Sequence, residues 1–278
     1  MLTASATFDA NTSLAFALED ALANSAFRRS ITARGVPAGA NTANQVVASK
    51  PGTVSATVGT SGRLAMRCGL LTASEIKLIV TPTFKVADNE KTRAHVWELA
   101  AQRLTRYVEP HYISDDMLRG IEDEILARQV YAERYAPVTE CGFVTNDEWG
   151  FTIGYSPDAL VGDDGLIECK SRRQKFQIET ITTHAATGEI PIDYLLQCQT
   201  GLLVTRRKWL DLVSYCGGLP MYVMRVLPDP KVQAAIIDAA SKFHERLETA
   251  LGDYRDALRC RAEYLTPTER KIEQEMTV

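Results

Sequence analysis

Ser156-Pro157-Asp158, with Glu168-Cys169-Lys170 beginning ten positions after the aspartate, constrains this chain more than any other feature. The residues between them, Ala159 to Ile167, read as a turn at Asp164-Gly165 feeding a short apolar strand. Alternate residues of a strand point to one side. Glu168 and Lys170 therefore share a face, Leu166 lies further in on it, and Ile167 and Cys169 pack behind. Asp158, held in a loop by Pro157, returns to the same place across the turn. Two carboxylates and an ammonium at one spot make a poor core and a good seat for a hard divalent cation. Magnesium takes oxygens from one or two carboxylates and keeps several waters; Mn2+ suits the same oxygen ligands. A lysine beside such waters orients or deprotonates one as a nucleophile. That is an arrangement for cutting a phosphodiester.

Neither half of the pattern is informative alone, because Glu-x-Lys recurs at Glu75-Ile76-Lys77 and Pro-Asp at Pro228-Asp229. The combination occurs once, at the end of an apolar run; its bland alternative is a hairpin with a solvated acidic turn. Three more segments add weight. Upstream, Arg119 to about Tyr135 reads as a helix, with Ile121, Ile125, Leu126, Gln129 and Ala132 at helical spacing and Glu124 on the polar side. Downstream, Ile192 to Val204 reads as an apolar helix with Tyr194, Gln197 and Gly201 on one stripe. A buried glutamine needs a partner, since an unpaired buried amide costs about 1–3 kcal/mol. Nearer the N-terminus, Thr72-Ala73-Ser74-Glu75 has the form of a capping box, five residues after Arg67. A helix start with free N–H groups, a Ser hydroxyl and an Arg suits a phosphate, although a capping box taken alone is only a helix start.

In this order the segments resemble the phage lambda exonuclease family, the YqaJ-type viral recombinases, whose members carry a Pro-Asp/Glu-x-Lys nuclease core. The resemblance runs from about Arg67 to Leu227. It rests on Leu71-Thr72-Ala73-Ser74-Glu75, Gly120-x-x-x-Glu124, Ser156-Pro157-Asp158, Glu168-x-Lys170 and Tyr194-x-x-Gln197-x-Gln199. It implies that Asp158 and Glu168 are metal ligands, with the main-chain carbonyl of Cys169, and that Lys170 is the catalytic lysine. Glu124 would complete the metal site and Gln197 would sit near the attacking water. Arg67 and Ser74, with the helix start at Thr72, would hold the 5′-phosphate of the degraded strand. Tyr194, Arg172 and Arg173 join them as DNA contacts. Cys169-Lys170-Ser171-Arg172 lacks the proline often found after the family's lysine, and Glu122 competes with Glu124 for the acidic helix role.

The resemblance also implies a magnesium-dependent 5′→3′ exonuclease on double-stranded DNA ends, leaving 3′ single-stranded tails for recombination. A ring-shaped homotrimer and a single-strand annealing recombinase protein as partner are implied too. The alternatives are a structure-specific or restriction-like endonuclease with the same core, and a non-catalytic DNA-end-binding accessory protein. The second is disfavoured by three carboxylates where a binding module needs cations.

Composition sets the remaining bounds. Six cysteines without a Cys-x-x-Cys pair argue against zinc, an iron–sulfur cluster or a disulfide framework, and fit a reducing cytoplasm in a bacterial or phage-infected cell. No apolar run approaches a membrane span, and no secretory signal is read. A net charge of −4 leaves DNA binding to local basic patches, of which Arg172-Arg173-Gln174-Lys175 and Arg206-Arg207-Lys208 are candidates. Either could equally be a solvated loop. The four histidines show no ligand spacing and are assigned no chemistry.

Along the chain, 1–62 is expected as an extension, with an amphipathic helix over Ser13 to Phe27 and a linker over Arg34 to Gly62, and 63–278 as the nuclease domain. The fold expected is α/β, a restriction-endonuclease-like core with a central mixed β-sheet flanked by helices. Its parts are a helix over Lys91 to Tyr107 (Val96, Leu99, Ala100 and Leu104 inward), a hairpin over Gly142 to Gly154, and strands at Leu210 to Tyr215 and Met221 to Val226. A long helix from Val232 to Cys260, with Ile236, Ala240, Phe243, Leu247, Leu251, Tyr254 and Leu258 in near-heptad spacing, is expected to pack on its own domain.

Overall fold

The computed structural model describes residues 53–54, 66–109 and 114–270. The helix expected over Ser13 to Phe27 and nearly all of the linker expected before Gly62 lie outside them. Strands alternate with helices, as an α/β domain requires, but hydrogen bonding divides them between two four-stranded mixed sheets rather than one. The first contains β1 (Thr53–Val54), β2 (Leu71–Thr72), β3 (Val144–Asn146) and β4 (Ile153–Tyr155), in the order β1-β3-β4-β2. The second runs β5 (Ala159–Val161), β6 (Gly165–Ser171), β7 (Trp209–Tyr215) and β8 (Tyr222–Val226) in chain order. The turn residues expected between Asp158 and Glu168 thus include a strand, β5, paired antiparallel to β6. Because β1 pairs with β3, the first sheet also reaches upstream of the boundary expected at residue 62.

Among the described residues the α-helices of six residues or more are α1 (Glu90–Thr105), α2 (Asp115–Arg134), α3 (Gln174–Glu179), α4 (Ile192–Thr205) and α5 (Pro230–Cys260). Asn89, Ser114 and Asp229 cap α1, α2 and α5 with side-chain oxygens. Parallel β6 and β7 are joined through α3 and α4, the kind of crossover a parallel pair needs. Alternation along β6 and β7 divides the core. Leu166, Leu210 and Leu212 join α1, α4 and α5 on one side, with Leu99, Leu196, Leu202, Ile236, Phe243 and Leu247. Ile167, Cys169 and Val213 join Ala127 and Tyr131 of α2 on the other. Covered on both faces, β6 can hold charged side chains only where partners wait for them.

Three expected faces turn out differently. In α2 the buried stripe is Ala127 and Tyr131, whereas Leu126 is exposed. The Tyr131 hydroxyl donates to buried Asp211 of β7 at 2.6 Å, and Arg225 grips the same carboxylate at 2.8 and 2.9 Å. That polar anchor, with small Ala127 allowing close approach, sets the helix rotation. Leu104 of α1 is exposed because α1 contacts the core through Val96, Leu99 and Ala100. In α5, burial ends at Leu251, and Tyr254 and Leu258 lie on turns that run past the core.

Candidate active site

Chain direction and register bring the chemistry together. β2 lies parallel to β4 with Thr72 opposite Gly154, so Tyr155 at the end of β4 and the residues after it (Ser156, Pro157, Asp158) pass beside Thr72 and lead into β5. The pairing of Ala159 with Ile167 then places Asp158 at the level of Glu168, one step along the ladder. Asp158 is tied there: its Oδ2 accepts the Cys169 N–H at 2.5 Å, and its carbonyl accepts from Arg128 at 3.2 Å. A cavity of ≈ 360 Å³ opens at this junction, lined by Arg67, Thr72, Ala73, Ser74, Glu124, Tyr155, Ser156, Asp158, Glu168, Cys169, Lys170 and Gln197. Residues drawn from five separated stretches of sequence thus converge on one space.

Glu168 is the hub. It is 3% exposed, a burial that costs a carboxylate heavily unless it is paired. Its Oε1 accepts from the Lys170 ammonium at 2.8 Å and from the Gln197 amide at 2.5 Å, and its Oε2 accepts the Tyr155 hydroxyl at 2.8 Å. Lys170 also donates to Gln197 Oε1 at 2.9 Å, closing a triangle. Burial pulls the Lys170 ammonium down, but the Glu168 and Asp158 carboxylates outweigh it and hold Lys170 above the ordinary lysine range. Burial, then Glu168 and Asp158, push the Tyr155 hydroxyl well up, so it remains a donor. Burial likewise raises the Cys169 and Cys198 thiols, which removes them as nucleophiles.

Glu124 enters the cavity from α2, while Glu122 is exposed elsewhere on the helix. The geometry is that of i, i+3 and i+7: Glu124, Ala127 and Tyr131 share the stripe that the Asp211 anchor turns toward the sheet. Arg128 stands 3.9 Å from Glu124 and 3.3 Å from Glu140 as it bonds the Asp158 carbonyl.

At the other end of the cavity, Arg67 Nη2 donates to the Thr72 hydroxyl at 3.4 Å and to Ser74 Oγ at 3.5 Å, and the two hydroxyls are 3.2 Å apart. Glu75 completes the capping arrangement by accepting the Thr72 N–H at 2.8 Å. The helix it caps is only a six-residue 3-10 segment, Ala73–Leu78, too short to lend the macrodipole expected from the sequence. Any anion affinity here comes from side chains.

The remaining candidates lie outside the cavity lining. Arg172 donates to the Tyr194 hydroxyl at 2.7 Å, beside Lys170 but on the far side from Asp158, and they line a smaller adjoining cavity. Arg173 precedes α3, where a basic loop was expected, and is held by Asp116 through two nitrogens. Arg206, Arg207 and Lys208 are engaged by Glu148, by the carbonyls of Gly162 and Gly165, and by Asp164. Arg207 and Lys208 brace the β5–β6 turn, and Arg206 ties the end of α4 to the β3–β4 turn. Gln199, two residues after Gln197 and so on another face of α4, bonds the Leu227 carbonyl and the Asp229 N–H instead, tying α4 to the start of α5.

Residues 64–208 match the YqaJ-like viral recombinase domain. The chain belongs to that family. Among solved structures, an alkaline exonuclease, LHK-Exo from Laribacter hongkongensis, is similar at 34% identity and a TM-score of 0.63, covering 74% of this chain and 100% of its own. LHK-Exo in complex with dAMP matches over the same shares at 33% identity and a TM-score of 0.63. No curated protein matches the chain. Every residue that lines the cavity falls within the family match.

In this member of the family, charge tests whether the cavity suits a hard cation. Burial, then the Glu168 and Glu124 carboxylates, push Asp158 well above the ordinary carboxylate range, against the opposing pull of the Cys169 N–H and Lys170. Asp158 therefore resists ionising beside Glu168 and Glu124 unless a proton or a cation offsets its charge. A divalent cation fits. Among the described residues no group of three or more His, Cys, Asp or Glu side chains stands ready to hold a metal ion, so an ion here would need water for much of its shell. All six cysteines are free and none adds a soft ligand set.

Tyr155 and Arg128 were missed by sequence reasoning. Tyr155 stands directly before the Ser156-Pro157-Asp158 signal and one residue past the hairpin expected to end at Gly154, and no local pattern marks its role. Arg128, one turn after Glu124, carried no signal beyond helical spacing.

Proposed function

We propose that this protein is a magnesium-dependent deoxyribonuclease that degrades one strand of linear duplex DNA from its 5′ end, leaving 3′ single-stranded tails for phage-type recombination. The observation that carries the proposal is the convergence of Asp158, Glu168, Lys170, Glu124 and Gln197 on one cavity whose other end holds Arg67, Thr72 and Ser74. The family membership and the exonuclease activity named for LHK-Exo point the same way, and the dAMP complex of that relative is in keeping with a nucleotide product.

In this reading Asp158, Glu168 and the Cys169 carbonyl hold the ion, and Glu124 completes its surroundings. Bound there, magnesium or manganese would supply Lewis-acid stabilisation of the scissile phosphate and lower the pKa of nearby water. Lys170, held cationic by Glu168, orients the attacking water and offsets negative charge as it develops on the phosphate. Gln197 fixes the lysine from α4, and Tyr155 fixes the other oxygen of Glu168. The water attacks in line with the leaving oxygen. Arg67 and the Thr72 and Ser74 hydroxyls hold the terminal 5′-phosphate, and Tyr194, Arg172 and Arg173 lie along the flank available to the DNA backbone.

The endonuclease reading shares the cleavage centre and differs at Arg67, Thr72 and Ser74, since an internal cut has no 5′ end to hold. Digestion of linear duplex bearing 5′-phosphate or 5′-hydroxyl ends, and of circular duplex, with and without magnesium, separates the two. The proposal expects loss of linear DNA in magnesium alone, fastest from phosphorylated ends; nicking or linearisation of the circle would replace it with the endonuclease. We extend the proposal to a homotrimer working in the cytoplasm with a single-strand annealing protein, on the family resemblance. Sedimentation at a monomer mass would remove the trimer.

A further inference from the structure

His95 was assigned no role in the sequence, yet it is 3% exposed and stands between two carboxylates. Its Nδ1 is 3.0 Å from Glu98 Oε2, on its own helix, and its Nε2 is 3.7 Å from Glu75 Oε2, on the 3-10 segment. From α5 it meets the uncharged ring of Phe243, with centroids 5.5 Å apart. Nε2 is buried without a hydrogen-bond partner, so a small closure toward Glu75 is the contact open to it. A neutral imidazole has one N–H and one lone pair, and would turn that lone pair toward one carboxylate. Only the imidazolium offers a donor to both.

What Glu75 does makes this consequential. The oxygen that faces His95 also accepts the Thr72 N–H and the Thr72 hydroxyl, each at 2.8 Å. With its proton committed to Glu75, the Thr72 hydroxyl turns its lone pairs to Arg67 and Ser74, the pair at the mouth of the cavity. An uncompensated carboxylate next to Ser74 would repel a phosphate; an imidazolium behind it makes the cluster one unit less negative.

We propose that His95 is a positioning residue for the terminal-phosphate contact: as an imidazolium between Glu98 and Glu75 it holds the Glu75 carboxylate, and through it the Thr72–Ser74–Arg67 cluster, and it offsets charge that would otherwise repel the phosphate. This rests on the proposed phosphate pocket. Burial works against the imidazolium, but Glu75 and Glu98 outweigh it and hold His95 above the ordinary histidine value. Glu75, in spite of its burial, is held below the ordinary carboxylate range by His95 and Thr72. The sign follows. With a raised folded pKa, the charged form is present below that folded value and is lost as pH rises through it, so preference for phosphorylated ends falls as pH rises. The ligand alone would give the opposite trend, because a phosphate monoester gains charge above about pH 6.

The test is kcat/KM on linear duplex with 5′-phosphate and with 5′-hydroxyl ends, measured across pH, for the wild type and for Arg67→Ala, His95→Gln and Glu98→Gln. Taking the ratio of the two substrates removes the pH dependence of the cleavage chemistry common to both. The expected result is a wild-type ratio that declines as pH rises through the folded pKa of His95, and a His95→Gln ratio that is lower by about five-fold on the acid side of that decline, the size of a modest ion-pair interaction, and lacks the decline. Glu98→Gln removes one of the two charges that favour the imidazolium and shifts the decline to lower pH, which keeps the test intact if His95→Gln does not fold. A His95→Gln protein that melts earlier but keeps the wild-type ratio and pH trend, or a Glu98→Gln decline at an unchanged pH, overturns the proposal while leaving the phosphate pocket standing. Equal losses on both end types in Arg67→Ala overturn the pocket itself, and this inference with it.

Discussion

A buried carboxylate with several donors is both a strength and an exposure at the level of single residues, because each donor removed leaves the rest of the network to rearrange. Lys170→Ala removes the cation nearest the reacting phosphate. Initial rates on linear duplex should fall by orders of magnitude while the melting temperature stays near wild type, because the group acts mainly on the transition state. Retention of near-normal rates would remove Lys170 from the chemistry. Tyr155→Phe is subtler: Glu168 Oε2 loses its one protein donor, which costs about 1–3 kcal/mol for a buried acceptor. Turnover should drop about ten-fold with DNA affinity held, and a loss in affinity alone would show that the hydroxyl meets the substrate instead. Asp158, Glu168 and Lys170 were legible in the sequence because strand alternation and one Pro-Asp suffice to place them. Tyr155 was not, because its partner Glu168 belongs to the other sheet, a tertiary meeting that no local pattern reveals.

Among the elements, two helices decide the shape of the site. Glu124 was preferred over Glu122 on Gly-x-x-x-Glu spacing, and α2 does turn Glu124 into the cavity, but the apolar stripe that was expected to orient the helix is rotated from the buried one. The true determinant is Tyr131 meeting Asp211, a tertiary pairing between residues far apart in sequence. Glu124→Ala should therefore cripple cleavage and Glu122→Ala leave it within about two-fold, since surface substitutions away from special features are usually near neutral; the reverse ranking in a rate assay would put the wrong face toward the metal. On α4, Gly201 shares a stripe with Tyr194 and Gln197, and its lack of a side chain leaves room for Tyr155. A Cβ there would lie 2.7 Å from Tyr155 Cζ, with the ring fully walled in. Gly201→Ala should displace the ring from Glu168, destabilise the fold by about 1–3 kcal/mol as overpacking does, and lower turnover with it. A variant that melts early but turns over normally would separate the packing from the site.

Over the molecule as a whole, the cavity lies where the two sheets meet: β2 and β4 of the first deliver Thr72 and Tyr155, and β5 and β6 of the second deliver Asp158, Glu168 and Lys170. The sequence showed each strand of the second sheet within a residue or two except β5, whose three residues were too few to separate from a turn. It did not show the division into two sheets, because β1 and β2 are two residues long and gain their identity only from partners found far along the chain. A site at such a seam predicts that ion binding and folding are linked. Without a cation, Asp158, Glu168 and Glu124 repel one another in a buried space. Asp158→Asn removes part of that repulsion, so in chelator the variant should melt at or above the wild type. Adding magnesium should reverse the order. At about 100-fold above its dissociation constant a ligand stabilises the folded state by ~2.7 kcal/mol, equivalent to roughly 5–10 °C at about 2–4 °C per kcal/mol for a chain of this size. The wild type should gain that shift and Asp158→Asn should not, because it has lost the charge that attracts the ion. Parallel melting curves for the two proteins over a magnesium titration would mean that the ion does not bind between these carboxylates, whatever the nuclease assay showed.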